Sequence, residues 1–136
     1  MICYPLTIDE DAYGFRITCP PLDEVEVEAR SREEALPRAE AAVFDALITR
    51  LQQQGHLPRP PSDAPPAVIV PTMLALRLHL FWALEEEKIC RAGLARLLGW
   101  TEAKVDSLFH HGQATPMDLF DQAFAALGKQ LSIQVI

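Results

Sequence analysis

At 136 residues the chain holds one ordinary domain or two very small ones, each short of apolar core unless it associates. Apolar residues make up 49%, which excludes a disordered or low-complexity chain. The net charge of −7 argues against nucleic acid as a partner for the surface as a whole, because phosphate neutralisation supplies most non-specific affinity. That charge is unevenly spread. Residues 1–62 carry eleven acidic and six basic side chains, a net of −5, whereas residues 88–112 carry four basic and two acidic, a net of +2. Cys3, Cys19 and Cys90 are odd in number, far apart and without a CxxC pair or a histidine at metal spacing, so they read as free thiols in a reducing cytosol. No basic n-region opens the chain, and no apolar run approaches the roughly 18 to 20 residues that a membrane span needs. The expectation is a soluble cytoplasmic protein with no membrane partner.

In chain order, residues 2–8 alternate loosely between apolar and polar, residues 9–14 read as a polar turn, and residues 15–19 resume an extended pattern, which together predict a hairpin. Pro20 and Pro21 end that strand, and a third follows over 25–29, with Val25 and Val27 on one face and Glu26 and Glu28 on the other. Ser31 with Glu34 three residues on makes a capping box. Ala35, Ala39, Ala42, Val43, Ala46, Leu47 and Leu51 then fall at helical spacing, predicting a helix over about 32–54. Pro37, in the second turn, is expected to distort its start, and Gly55 to stop it. Prolines at 58, 60, 61, 65, 66 and 71 mark a linker, with the β-branched run 67–70 as one added strand. Beyond Pro71 the pattern is helical. An apolar helix from Met73 to Leu84 ends in Glu85-Glu86-Glu87, and Pro116 and Gly128 bracket another over Leu119 to Leu127. Leu131, Ile133 and Val135 alternate like a last strand.

Between those helices lies the segment expected to carry function. Two short helices meeting at a tight turn need a small residue where they cross, a turn residue tolerant of unusual backbone angles, and apolar inner faces. Ala95 and Gly99 fill the first two roles, and Leu94, Leu98, Trp100, Val105 and Leu108 the third. Thr101 is the expected cap of the second helix. A small helical bundle unconnected with DNA would show the same pattern. The stretch nevertheless resembles the helix-turn-helix of Cro and phage repressors. Gly112, Thr115-Pro116 and Ala126-Leu127-Gly128 extend that likeness over about 72–136. The resemblance implies that Thr101, Glu102, Lys104 and Ser107 face a major groove, with Arg91, Arg96, His110, His111 and Gln113 as candidates for backbone contacts. The adjacent pair His110-His111 is not a metal site, since neighbouring side chains on a helix diverge by about 100°.

The first half carries a second resemblance. Tyr4-Pro5-Leu6-Thr7-Ile8-Asp9-Glu10-Asp11, then Tyr13-Gly14-Phe15, Pro20-Pro21-Leu22, and Ser31-Arg32-Glu33-Glu34-Ala35-Leu36 before an Ala-rich helix, are similar to the HicB antitoxin family over about 1–62. The chain departs from that family in having a single glycine in its first turn, Gly14, and Asp23-Glu24 after the second strand. The resemblance implies an α+β fold: a small β-β-β-α-β N-terminal domain like a reduced ribonuclease H (1–62), a proline-rich linker (63–71), and an all-α helix-turn-helix domain with a short C-terminal strand (72–136). It also implies an antitoxin that blocks a small RNA-cleaving HicA-type toxin and represses their shared operon by binding operator DNA as a homodimer or tetramer. Asp9, Asp11, Tyr13 and Phe15 are the candidate toxin contacts.

An enzyme is not expected. Asp9, Glu10 and Asp11 invite a two-metal nuclease reading, but they lie in one turn and no later carboxylates complete the set. No GxSxG motif, phosphate-cradling loop or Cys–His pair is present, and no cofactor is implied. The alternative to an antitoxin is a stand-alone transcriptional regulator whose N-terminal domain senses a small ligand.

Overall fold

The alternating N-terminal pattern becomes strands and the later pattern becomes helices in a computed structural model that describes residues 1–61 and 63–136. Among the described residues the chain is a mixed α+β protein with two small antiparallel sheets and five helices, and its contacts divide it into two units, Met1–Ala75 and Leu76–Ile136. The expected domain boundary at Ser62 lies outside the described residues.

In the first unit, β1 (Cys3–Pro5) pairs with β5 (Ala67–Ile69), while β2 (Thr7–Asp11), β3 (Gly14–Cys19) and β4 (Leu22–Ala29) form the other sheet in that order. The single strand expected over 2–8 is therefore two strands. Leu6 turns its N–H to the carbonyl of Pro66 at 2.8 Å, so the chain changes sheets at this residue. The polar turn expected over 9–14 is also shorter than predicted. Asp9, Glu10 and Asp11 belong to β2, opposite Arg16, Phe15 and Gly14. All three are exposed, because β2 is an edge strand, and a strand wet on both faces needs no apolar alternation to give it away.

Ser31 caps the helix as expected, while the return bond of Glu34 goes to the residue before the cap instead of to the N–H of Ser31 itself. Ser31 Oγ accepts from the N–H of Glu34 at 3.2 Å, and Glu34 Oε2 accepts from the N–H of Arg30 at 3.3 Å. The helix, α1, runs over Arg32–Gln52 without a break at Pro37. Its end differs from expectation: Gln54, not Gly55, takes the left-handed conformation at φ 55°, and the N–H of Gly55 closes the last turn on the carbonyl of Arg50 at 2.8 Å. Ala35, Ala39, Val43, Ala46, Leu47 and Leu51 are buried, and α1 packs on β3 and β4. Three alanines on that face keep helix and sheet close. Tyr4, fully buried, donates its hydroxyl to the carbonyl of Pro58 at 2.7 Å, so the proline-rich segment is tied to the core. Burial pushes the Tyr4 phenol up from its ordinary pKa and the Cys19 thiol up to about 11.

The second unit is helical. Helix α2 (Thr72–Glu87) from Leu76 on, with α3 (Arg91–Leu98), α4 (Glu102–Ser107) and α5 (Met117–Ala126), supplies its structure, and α3 packs on both α4 and α5. The core is built from Leu94, Ala95, Val105, Leu108, Phe109, Phe120, Ala123 and Phe124, all buried. Gly128, at φ 71°, ends α5 as expected, and the N–H of Lys129 bonds the carbonyl of Phe124 at 2.9 Å. The expected C-terminal strand is absent. Residues 131–136 have no regular structure, and Ile133, Val135 and Ile136 are 85%, 93% and 90% exposed. Alternation alone does not make a strand. A ladder needs a partner, and no segment of the described chain pairs with this one.

Candidate functional site

Helices α3 and α4 meet at Gly99, which caps α3 in the left-handed conformation at φ 69° while its N–H and that of Trp100 return to the carbonyls of Arg96 and Ala95. Thr101 then starts α4, its Oγ1 accepting from the N–H of Lys104 at 3.2 Å. Cys90 starts α3 in the same way, with Sγ accepting from the N–H of Gly93 at 3.3 Å, a cap the sequence reading did not anticipate. Leu94, Val105 and Leu108 fill the inner faces as expected, whereas Leu98 and Trp100 are only half-buried and Phe109 takes the buried place.

The structure sorts the candidate DNA contacts into different situations. Glu102 and Lys104 are exposed on α4, with the Lys104 ammonium 4.4 Å from the centroid of the Trp100 ring. Thr101 is exposed, though its oxygen serves the helix cap. Ser107 is half-buried and spends its hydroxyl on the carbonyl of Lys104 at 2.6 Å. Gln113 is exposed in the loop after α4. His111 is half-buried, and its Nδ1 points inward without a hydrogen-bond partner among the described residues. Arg91 is the most engaged: its guanidinium lies 4.0 Å from the centroid of the Phe109 ring and pairs with Asp106 at 3.4 Å. Desolvation lowers its pKa, with Asp106 working in the opposite direction. Arg91 thus ties α3 to α4, and reaching a phosphate requires it to leave Asp106. Arg96 stays exposed on α3.

The candidate partner contacts gather in the first unit at the hairpin between β2 and β3. Asp11 Oδ1 accepts from the N–H groups of Tyr13 and Gly14 at 2.7 and 3.0 Å and so fixes the two-residue turn. Tyr13 stands at its tip, 93% exposed, and Phe15 is half-buried. These three, with Arg16, Glu28, Arg30, Glu34 and Arg38, line an open cleft of about 860 Å³. Asp9 lies outside the cleft, on β2 opposite Arg16. Ion pairs Arg16–Glu26 and Arg38–Glu34 rim it, and Arg38 also donates to the carbonyl of Glu28 at 2.9 Å. At the far end of β4, Arg50 grips Glu24 through two nitrogens at 2.7 and 2.9 Å and holds that carboxyl below its ordinary pKa.

One residue escaped the sequence reading altogether. Arg77 lies inside the second unit and is the single buried charged side chain among the described residues. The available signal was its position: a lone arginine amid the apolar residues of α2.

The fold and these two surfaces define a small two-unit α+β protein, one unit a sheet backed by a long helix and the other a cluster of short helices. No family model matches the sequence. Individual proteins do. "Antitoxin HicB" of Escherichia coli K12 is 30% identical over 115 residues, covering 80% of this chain and 83% of its own length. "Antitoxin HicB 2" of Photorhabdus laumondii is 28% identical over 133 residues, covering 98% and 96%. "Antitoxin HicB" of Pseudomonas fluorescens is 27% identical over 140 residues, covering 99% and 94%. The chain belongs to the HicB antitoxin family.

Proposed function

We propose that this chain is the antitoxin of a toxin–antitoxin pair, that its first unit binds and neutralises a small RNA-cleaving HicA-type toxin, and that its second unit represses their operon by binding DNA. Family membership along nearly the whole chain carries the antitoxin role. In this reading the first unit is the reduced ribonuclease H-like domain. Its toxin contacts are Asp9, Asp11, Tyr13 and Phe15, around a hairpin that exposes carboxylates and one aromatic tip to a basic partner. The cleft's size would also suit a ligand-sensing regulator, but its walls are mostly charged side chains at an open surface, unlike the apolar enclosure that small ligands prefer.

The second unit is read as a helix-turn-helix in which α4 enters the major groove and Glu102, Lys104 and Gln113 reach the nucleic acid. Support comes from the short α3–Gly99–α4 connection, from the cap at Thr101, and from Lys88, Arg96 and Lys104, all exposed on this unit of an acidic chain. Reading two half-sites requires at least a dimer, and the exposed Ile133, Val135 and Ile136 form the proposed contact with a second copy. No catalytic step is assigned to the chain.

Co-expression of this chain, tagged, with the small reading frame beside its gene tests the first half. Co-purification, together with toxicity of that neighbour relieved by this chain, is the expected outcome; a harmless neighbour that does not bind would leave a stand-alone regulator. A mobility-shift titration with the DNA upstream of its gene tests the second half.

A further inference from the structure

We infer that Arg77 is a positioning residue for DNA reading: from inside the second unit its guanidinium holds the C-terminal end of α4 and the following loop as one presented surface. The inference rests on the DNA-binding reading above.

Arg77 is 0% exposed. One terminal nitrogen donates to the carbonyls of Ser107 and Leu108 at 3.0 and 2.7 Å, at the end of α4, and the other donates to the carbonyl of Gln113 at 3.1 Å and to Thr115 Oγ1 at 3.4 Å. Four of the five guanidinium N–H groups are thereby used, and Nε is left without a partner. The guanidinium carbon lies 5.5 Å from the centroid of the Phe120 ring on α5. Among the described residues no carboxylate pairs with Arg77, so its charge is met by carbonyl dipoles at the negative end of α4.

A helix of six residues has no independent stability, so tertiary contacts must set its tilt. Its last carbonyls have no intrahelical donor, and Arg77 supplies one. The same side chain then bridges to Gln113, itself a candidate contact, and to Thr115, whose hydroxyl also reaches the carbonyl of Ser107 at 3.4 Å. A buried arginine is a poor way to gain stability, since an apolar side chain would avoid the cost of desolvating a charge. It is a good way to specify one arrangement, because a planar fork with four acceptors tolerates little displacement.

The test uses the full chain with Arg77→Lys, Arg77→Met and Thr115→Val, each titrated against a duplex of the DNA upstream of its own gene and against a scrambled duplex. Folding is followed by circular dichroism and amide exchange. The expected result for a folded Arg77 variant is an affinity for the upstream duplex about tenfold or more below wild type, with binding to the scrambled duplex within about twofold and exchange accelerated at 107–115. Arg77→Lys keeps the charge but not the fork and should not rescue. Folded variants that match wild type on the upstream duplex would overturn the inference while leaving the DNA reading intact. Wild type that does not prefer the upstream duplex would overturn both. Should both Arg77 variants unfold, Thr115→Val decides. It keeps the bonds from Arg77 to the carbonyls of Ser107, Leu108 and Gln113 and removes the hydroxyl that links Thr115 to Arg77 and to Ser107, so a loss of about threefold in specific binding supports the clamp and no loss overturns it.

Discussion

The two units hold their exposed surfaces in different ways. The hairpin of the first unit is fixed by the unbroken backbone ladder between β2 and β3, with Asp11 closing the turn, so its outward side chains are free to be almost any polar residue. In the second unit α4 is too short for its own hydrogen bonds to orient it, and side chains must do so: Arg77 at its end, Asp106 paired with Arg91 across from α3, and Val105 in the core. A surface on a sheet is robust to changes in its displayed residues, whereas a surface on a short helix depends on residues that never touch the partner.

Changes aimed at one unit at a time break or sharpen that contrast. Gly14→Val should have the largest effect. At φ 142° its Cβ would meet the Ala29 carbonyl oxygen at 2.3 Å, where backbone cannot give way. We expect the first unit to lose roughly 3 kcal/mol or more, read from denaturant midpoints, with toxin binding lost and DNA binding kept. Loss of both would mean the units do not act separately. Leu94→Ala, at a fully buried position, should do the converse, costing about 3 kcal/mol in the second unit and sparing toxin binding. Lys104→Gln should weaken operator binding about tenfold and reduce the salt slope by about 1, without a change in melting temperature; an unchanged slope would remove Lys104 from the phosphate contacts. Thr101→Ala deletes the α4 cap and should cost about 1 kcal/mol.

The smallest effect is confined to alkaline pH. Burial raises the Cys19 pKa from 9.0 to about 11, so the folded state holds the thiol proton more tightly than the unfolded chain does. That contribution is fully present below pH 9 and lost as the pH rises through about 11. Cys19→Ala should flatten the stability profile in that window, and an equally steep mutant profile would point to Tyr4, whose buried phenol shifts in the same direction.

Elements with strong local chemistry were legible in advance. Ser31, Gly99, Thr101 and Gly128 act through their nearest neighbours, and each does in the structure what its residue type predicts. The edge strand Asp9–Asp11 was misread because exposed strands and polar turns share a composition. The tail at 131–136 finds no strand partner among the described residues, because a strand pattern says nothing about whether its partner lies in the same chain or on a second copy. Of the candidate contacts, Tyr13, Glu102, Lys104 and Gln113 emerge exposed, while Arg91, Ser107 and His111 turn to partners or burial within the chain.

The sequence by itself determined that Ser31 and Thr101 start helices and that Gly99 and Gly128 close them, which faces of α1 and α3 go inward, and that the acidic and basic stretches lie in different halves, because each follows from residue type at short separation. Only the tertiary structure decided that residues 2–11 serve two sheets, that Arg91 faces Phe109, and that Arg77 sits in a core. Hydrogen bonds and ring contacts reaching 15 to 38 residues along the chain are set by how distant elements pack, and no local pattern encodes them.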